Sequence, residues 1–247
     1  MRRFDSQTFK LLVALPIVAM LAAAAQPSQA AIIPAGQSVT MDNLIAGDTI
    51  VVGDKVFSGF SYSHNGDMPA PSGVSVVGTL IGNSVVLQFN GSFRDVPGGG
   101  VSDAGLGFNV HVTDPLKVIS RVRLAGTVTT IGNDAEVHID EGFSGLPPGP
   151  LGFPDMYIQR QIIGGVLSPF NQNEDSVDFP STHGVLGFKS FRVLKDIYAD
   201  AGNGTFNAAR VTTFTQTFDQ EQIPEPATMA LAGMSVLAMV AVSRRRG

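Results

Sequence analysis

Alternation with a period of two runs through most of this chain and limits what it can fold into. Leu106, Phe108, Val110 and Val112 alternate with Gly107, Asn109 and His111. Val118, Ser120, Val122 and Leu124 share one phase, and Arg121 and Arg123 take the other. Successive side chains of a strand point to opposite faces, so each run reads as a strand with one buried face. Val74 to Leu80 and Ser84 to Asn90 are β-branched runs joined at Ile81-Gly82-Asn83, which suits a short hairpin. Thr49 to Val52 and Phe57 to Tyr62 form another pair around Gly53-Asp54-Lys55. Near the end, Phe206, Ala208, Arg210, Thr212, Phe214, Gln216 and Phe218 are expected on one face of a long strand. The 28 glycines and 15 prolines concentrate at turns such as Asn65-Gly66-Asp67, Gly98-Gly99-Gly100, Gly132-Asn133-Asp134 and Gly202-Asn203-Gly204. Turns at intervals of roughly ten residues predict an all-β body, a β-sandwich or jelly roll. Asp178 to Ser190 fits no strand pattern.

The two ends break this pattern. Arg2, Arg3 and Lys10 precede an apolar run from Leu11 to Ala25, and Ser28-Gln29-Ala30 places small residues at −3 and −1 of a cleavage site before Ala31. This order predicts a secretory signal peptide over residues 1–30, taken up by the Sec translocon and cut by signal peptidase. At the other end Pro224-Glu225-Pro226 precedes sixteen apolar residues, Ala227 to Val242, and the chain closes on Arg244, Arg245 and Arg246. A helix of that length reaches about 24 Å, short of the ~30 Å hydrocarbon core, so it predicts a weak transmembrane anchor whose arginines stay cytoplasmic.

Pro224-Glu225-Pro226, the apolar helix and the arginine cluster together resemble the PEP-CTERM sorting signal. The resemblance covers residues 224–247. It implies export through the inner membrane, brief retention by the tail, and processing by an exosortase-type membrane protease. It also implies a bacterium that makes exopolysaccharide, and a destination at the cell surface or outside the cell. Val52-Gly53-Asp54-Lys55-Val56-Phe57-Ser58-Gly59-Phe60-Ser61-Tyr62, Lys195-Asp196-Ile197 and Phe214-Thr215-Gln216-Thr217-Phe218 are further similar to a group of PEP-CTERM proteins with a β-rich ectodomain of unknown function. That likeness implies no catalytic residues.

Between the ends lies a body, residues 31–223, with 10 Lys and Arg against 19 Asp and Glu, a net charge of −9. Such a body repels nucleic acid and anionic membranes and leaves neutral glycans and divalent cations as partners. The chain has no cysteine, which excludes disulfides, thiolate metal sites and a cysteine nucleophile. None of His64, His111, His138 and His183 has a metal-ligand spacing. Gly142-Phe143-Ser144-Gly145 is not the G-x-S-x-G turn of a serine hydrolase. Carboxylate pairs for glycoside hydrolysis, such as Asp140 and Glu141 with Glu174 or Asp175, are easy to draw among so many acids, and surface carboxylates explain them as well. Asn171, Asn173, Glu174, Asp175 and Asp178 crowd hard oxygens into one loop, so Asn173, Glu174, Asp175 and Asp178 form a calcium candidate without EF-hand spacing. Thr213, Thr215 and Thr217 form one threonine row, read as ordinary β-propensity on a solvent face. The expectation is a non-enzymatic exported protein of the surface or matrix, without a resident cofactor and associated with exopolysaccharide. A glycan- or calcium-binding module is the alternative, and a secreted hydrolase the third reading.

Overall fold

The computed structural model describes residues 30–147 and 155–223. The segment expected to be a signal peptide, with Ser28, the loop Pro148-Gly149-Pro150, and the tail with its Pro-Glu-Pro motif and arginines lie outside the described residues. Among those described, no helix is long and apolar enough to cross a membrane.

The body is all-β, as the alternation predicts. Its strands are β1 (Ile32–Pro34), β2 (Ser38–Thr40), β3 (Thr49–Val52), β4 (Lys55–His64), β5 (Ser75–Ile81), β6 (Ser84–Asp95), β7 (Ser102–Val112), β8 (Lys117–Ile131), β9 (Ala135–Ser144), β10 (Asp155–Ile163), β11 (Val166–Leu167), β12 (Glu174–Asp178), β13 (Ser190–Asp200) and β14 (Ala208–Gln222). Two short helices, α1 (Met41–Ile45) and α2 (Phe179–His183), sit among them. The strands form an eight-stranded sheet, β1-β3-β4-β7-β13-β9-β10-β11, and a six-stranded sheet, β12-β8-β14-β6-β5-β2. Pairing is antiparallel except between β1 and β3. The expected hairpins form: Ile81 pairs Ser84, and Val52 pairs Lys55.

Phenylalanines from both sheets meet between them. Phe57 and Phe108 of the eight-stranded sheet pack on Phe218 and Phe89 of the other, with ring centroids 5.3 Å and 5.9 Å apart. Phe89 stacks on Phe214 at 4.7 Å. Each such ring contributes roughly 1.5–3 kcal/mol by leaving water. The unassigned stretch after Asp178 closes one end. There Asp178 caps α2 by accepting from the Ser181 amide, and Phe179 packs edge-on against Phe143, Phe188 and Phe191.

Two bulges set which residues face this core. In β4, Ser58 pairs Asn109 but Ser61 pairs Gly107, so one extra residue turns Phe60 inward beside Phe57. Gly59 takes φ +61 at this point, and a Cβ there would meet the Asn109 side chain at 2.5 Å. The second bulge corrects the face expected for the last strand. Pairing of β14 slips between Val211 and Thr213, so Ala209 and Val211 are buried with Phe214, Gln216 and Phe218, while Ala208 and Arg210 lie on the other face. Phe206 precedes the strand and is 88% exposed.

The core also holds charge. Lys195 of β13 and Glu141 of β9 are directly opposed, and both side chains are wholly buried and joined as an ion pair. Gln216 reaches them from the facing sheet: its Oε1 accepts from Lys195 Nζ, and its Nε2 donates to the Arg123 carbonyl at 3.2 Å. The Phe214 ring lies 5.6 Å from Nζ, and Glu141 Oε1 has no hydrogen-bond partner. Lys55, also buried, contacts Gln220 and pairs with Asp54 at 3.2 Å.

Candidate functional site

The outer face of the eight-stranded sheet is indented. Strand register builds it row by row. In one row Asp196 of β13 stands opposite Gly105 of β7 on one side and Asp140 of β9 on the other, and Asp140 stands opposite Tyr157 of β10. Directly opposed residues have Cβ atoms about 5 Å apart, so Asp140 and Asp196 face each other as neighbouring carboxylates. The next row sets Tyr198 beside Asp103 and His138, and the His138 and Tyr198 rings stack at 4.6 Å. His138 also reaches Glu136 at 3.2 Å and Asp140 at 3.5 Å. A third row sets Leu194 between Gly107 and Gly142.

Glycines and one leucine shape the relief. A depression of about 560 Å³ is lined by Asp140, Gly142, Asp155, Tyr157, Leu194 and Asp196. Leu194 divides it from a second of about 280 Å³ over Ser61, Ser63, Gly105 and Gly107. Further hollows of about 330 Å³ around Asn109, Ser144 and Arg192, and about 520 Å³ around Glu136, Gln161 and Asp200, extend the same face. A Cβ at Gly142 would meet nothing within 4 Å, so that floor is open. Arg192 is tied down: it donates to the Gly59 carbonyl at 3.1 Å and to Ser61 Oγ at 2.9 Å.

The electrostatics are those of acids whose nearest ionisable base among the described residues is His138. Burial pushes the Asp196 carboxyl above the ordinary carboxylate range, and the nearby charges of Asp103 and Asp140 push it further. Burial, followed by Asp200 and Glu136, raises the Tyr198 phenol. Chemically, such a face offers carboxylate acceptors for hydroxyl donors, and Tyr157, 42% exposed, as a flat apolar surface.

The residues singled out in the sequence are distributed differently. Asp140 lies on this face, but Glu141, its neighbour, points into the core because alternation turns it there. Asp175 comes close enough for its charge to act on Glu141, yet Glu141 is sealed from solvent and the two make no cleft. Of the calcium candidates, Asn173 precedes β12 and the others lie along it, where alternation puts Glu174 and Asp175 on opposite faces. Asp175 accepts from the Tyr157 and Ser176 amides, and Asp178 is engaged by Arg121 and by the Ser181 amide. Among the described residues, no three His, Asp or Glu side chains are grouped to hold a metal ion. Ala30 and Ala31 are exposed, and the Ala31 amide donates to Asp48 Oδ1 at 2.7 Å. His111 is exposed on its strand, and His138 is half-buried in its stack. Asp196 was not among the candidates. Its one sequence signal is the inward phase of Phe191, Val193 and Ile197, which puts residue 196 outside.

The described chain ends on β14, where the Ile223 amide donates to the Leu116 carbonyl at 2.7 Å, one residue before Pro224. Residues 222–246 match a family model described as the PEP-CTERM protein-sorting motif, as the Pro-Glu-Pro, apolar and arginine segments lead one to expect. No curated protein matches the chain. Among solved structures it is similar to endoglucanase 3 of Trichoderma harzianum, from family GH12, at 11% identity over 65% of this chain and 97% of that one, with a TM-score of 0.22. The glycoside hydrolase domain of Endo-D from Streptococcus pneumoniae R6 aligns at 15% identity and a TM-score of 0.20, over 66% of this chain and 21% of that one. A family two carbohydrate esterase from Cellvibrio japonicus aligns at 14% identity and a TM-score of 0.18, over 67% of this chain and 36% of that one. At these TM-scores the likeness carries neither fold nor activity to this chain.

Proposed function

We propose that this exosortase-sorted protein is a non-enzymatic component of the cell surface or extracellular matrix, and that the outer face of its eight-stranded sheet holds exopolysaccharide. On this reading the body is a β-sandwich of the jelly-roll kind, exported by a Sec signal peptide and released from its tail anchor by the exosortase. Cleavage after Ala30 would leave the Ala31 ammonium beside the Asp48 carboxylate, where the amide now sits at 2.7 Å.

The observation that carries the glycan reading is the run of open, glycine-floored hollows on one sheet face, with carboxylates and Tyr157 along it. A polymer of neutral sugars presents hydroxyl donors and flat apolar patches in repeat, and an extended sheet face engages several units at once. Nothing in this reading requires calcium on Asn173, Glu174, Asp175 and Asp178.

Gly142→Val tests it. The added side chain enters open space, and a β-branched residue suits a strand, so stability should hold or rise slightly. Binding to exopolysaccharide purified from the producing cells should weaken at least tenfold, about 1.4 kcal/mol, in a titration. Absence of saturable binding by the parent protein, or equal binding by the variant, removes the proposal.

One observation favours a second reading. Asp140 and Asp196 are direct cross-strand neighbours, a pair of carboxylates of the kind retaining glycosidases use, and burial and the acids nearby raise the Asp196 carboxyl. Reducing-sugar release from the same polysaccharide, lost in Asp140→Asn, would make the face a hydrolase site.

A further inference from the structure

The three polar side chains inside the sandwich do not belong to the outer face, and nothing in the glycan reading uses them. Lys195, Glu141 and Gln216 touch one another across both sheets. The Lys195 and Glu141 side chains have no solvent exposure, and Gln216 is wholly buried. An ion pair in such a place is a poor stabiliser, because desolvating both charges offsets their attraction. Its chemistry is more informative. An amine lies against a side-chain amide, with a carboxyl group in contact with both.

We propose that Lys195 and Gln216 become joined by an intramolecular isopeptide bond that staples one sheet to the other, with Glu141 moving the proton.

Reactivity requires a neutral amine, and the surroundings favour it. Burial drives the Lys195 ammonium toward the free amine and the Glu141 carboxylate toward the acid, so the proton can pass from one to the other within the pair. The Nζ lone pair adds to Cδ of Gln216, which lies one carbonyl bond beyond the oxygen that Nζ already touches. Glu141 protonates the amide nitrogen Nε2 and takes the surplus proton from Nζ. The Cδ–Nε2 bond breaks, the Cδ–Nζ bond remains, and one ammonia leaves. Glu141 returns to its starting state, and no oxidant or cofactor is consumed. A primary amide is a sluggish electrophile, but fixed contact is worth an effective concentration of about 10⁵–10⁸ M. Burial also shields the amide from hydrolysis.

The second buried lysine serves as an internal comparison. Lys55 also contacts a glutamine of β14, Gln220. Its acid is Asp54, which is 15% exposed and lies 3.7 Å from Lys117. That site lacks a wholly buried acid against its lysine, so no bond is expected there.

The test is mass spectrometry of the full chain, digested with trypsin after complete denaturation. The expected result is resistance to cleavage at Lys195 and a branched peptide that joins residue 195 to residue 216, lighter than its parts by one ammonia. Lys55 should carry no such link. Normal cleavage after Lys195 with unmodified Gln216 overturns the proposal. A link from Lys195 to Glu141, lighter by one water, overturns the assignment of Gln216 as acceptor. In Glu141→Gln the branched peptide should disappear, and its persistence would overturn the role given to Glu141. The outcome in the parent protein does not depend on whether that variant folds.

Discussion

Two aspartates, one on each outer face, titrate in opposite directions. Asp178, at the edge of the six-stranded sheet, is held below the usual carboxylate range by hydrogen bonds from Arg121, 3.0 Å away, and from the Ser181 amide. Asp196, on the eight-stranded sheet, is pushed up by burial and by the acids around it. The contrast extends to the faces as wholes. On the six-stranded sheet Arg123 meets Asp219 at 3.3 Å, and the threonine hydroxyls of β14 find acceptors on neighbouring strands, Thr213 on Asn90 and Thr215 on the Ala125 carbonyl. These carboxylates and hydroxyls are paired within the fold. On the eight-stranded sheet like charges stand side by side over hollows. Folding gains nothing from that arrangement, and groups left in this state are where function is to be sought.

Three experiments sharpen or break the contrast. The largest effect is expected beneath both faces, at Phe214→Ala, which removes a ring stacked on Phe89 and close to Lys195. A loss of about 3–5 kcal/mol in denaturant unfolding is expected, because the cavity lies where both sheets meet. A loss under 1 kcal/mol would mean the two sheets do not share one core.

A smaller effect separates the faces by sign. A carboxyl with a raised folded pKa binds its proton more tightly when folded, so its contribution is present below the unfolded value near 3.8 and is lost as pH rises through the folded pKa. Asp196→Asn should therefore stabilise the protein at neutral pH. Asp178 behaves oppositely: its contribution is present above 3.8 and is lost as pH falls through the lowered folded value. Asp178→Asn should destabilise at neutral pH and make no difference in acid. Thermal midpoints of both variants across pH 3–8 read the two signs, and equal signs would erase the distinction. The smallest effect belongs to Arg210→Gln on the six-stranded face, where stability within about 0.5 kcal/mol of the parent and unchanged polysaccharide binding are expected.

Strand positions were legible because alternation is local: Leu106 to Val112 announces its buried phase without reference to the rest of the chain, whereas in Val118 to Leu124 a bulge at Ser120 puts Ile119, not Val118, into the core with Val122 and Leu124. The bulge at Thr212 was not legible. Nothing in Arg210 to Phe214 marks it, and it reverses the face of every earlier residue in that strand. Asp140 and Asp196 lie on strands far apart in sequence, and only the register of β9 against β13 makes them neighbours. Lys195 and Glu141 defeat the rule from the other side, since their inward phase is plain in Val193 and Ile197 or in Ile139 and Phe143, but charged residues are read as solvated. The PEP-CTERM motif was legible because it is a contiguous pattern and needs no fold to be recognised.

The place where the tail joins the body has a mechanical meaning. β14 lies between β8 and β6, inside the six-stranded sheet, and its last pair, Gln222 with Lys117, stands where the sorting-motif match begins. If the tail is held in the bilayer while the body is gripped by polymer outside, tension enters along the axis of β14. The strand is then loaded in shear against two ladders at once. Their hydrogen bonds must give way together rather than open one after another from an edge, which is the geometry in which a β-sheet best withstands pulling.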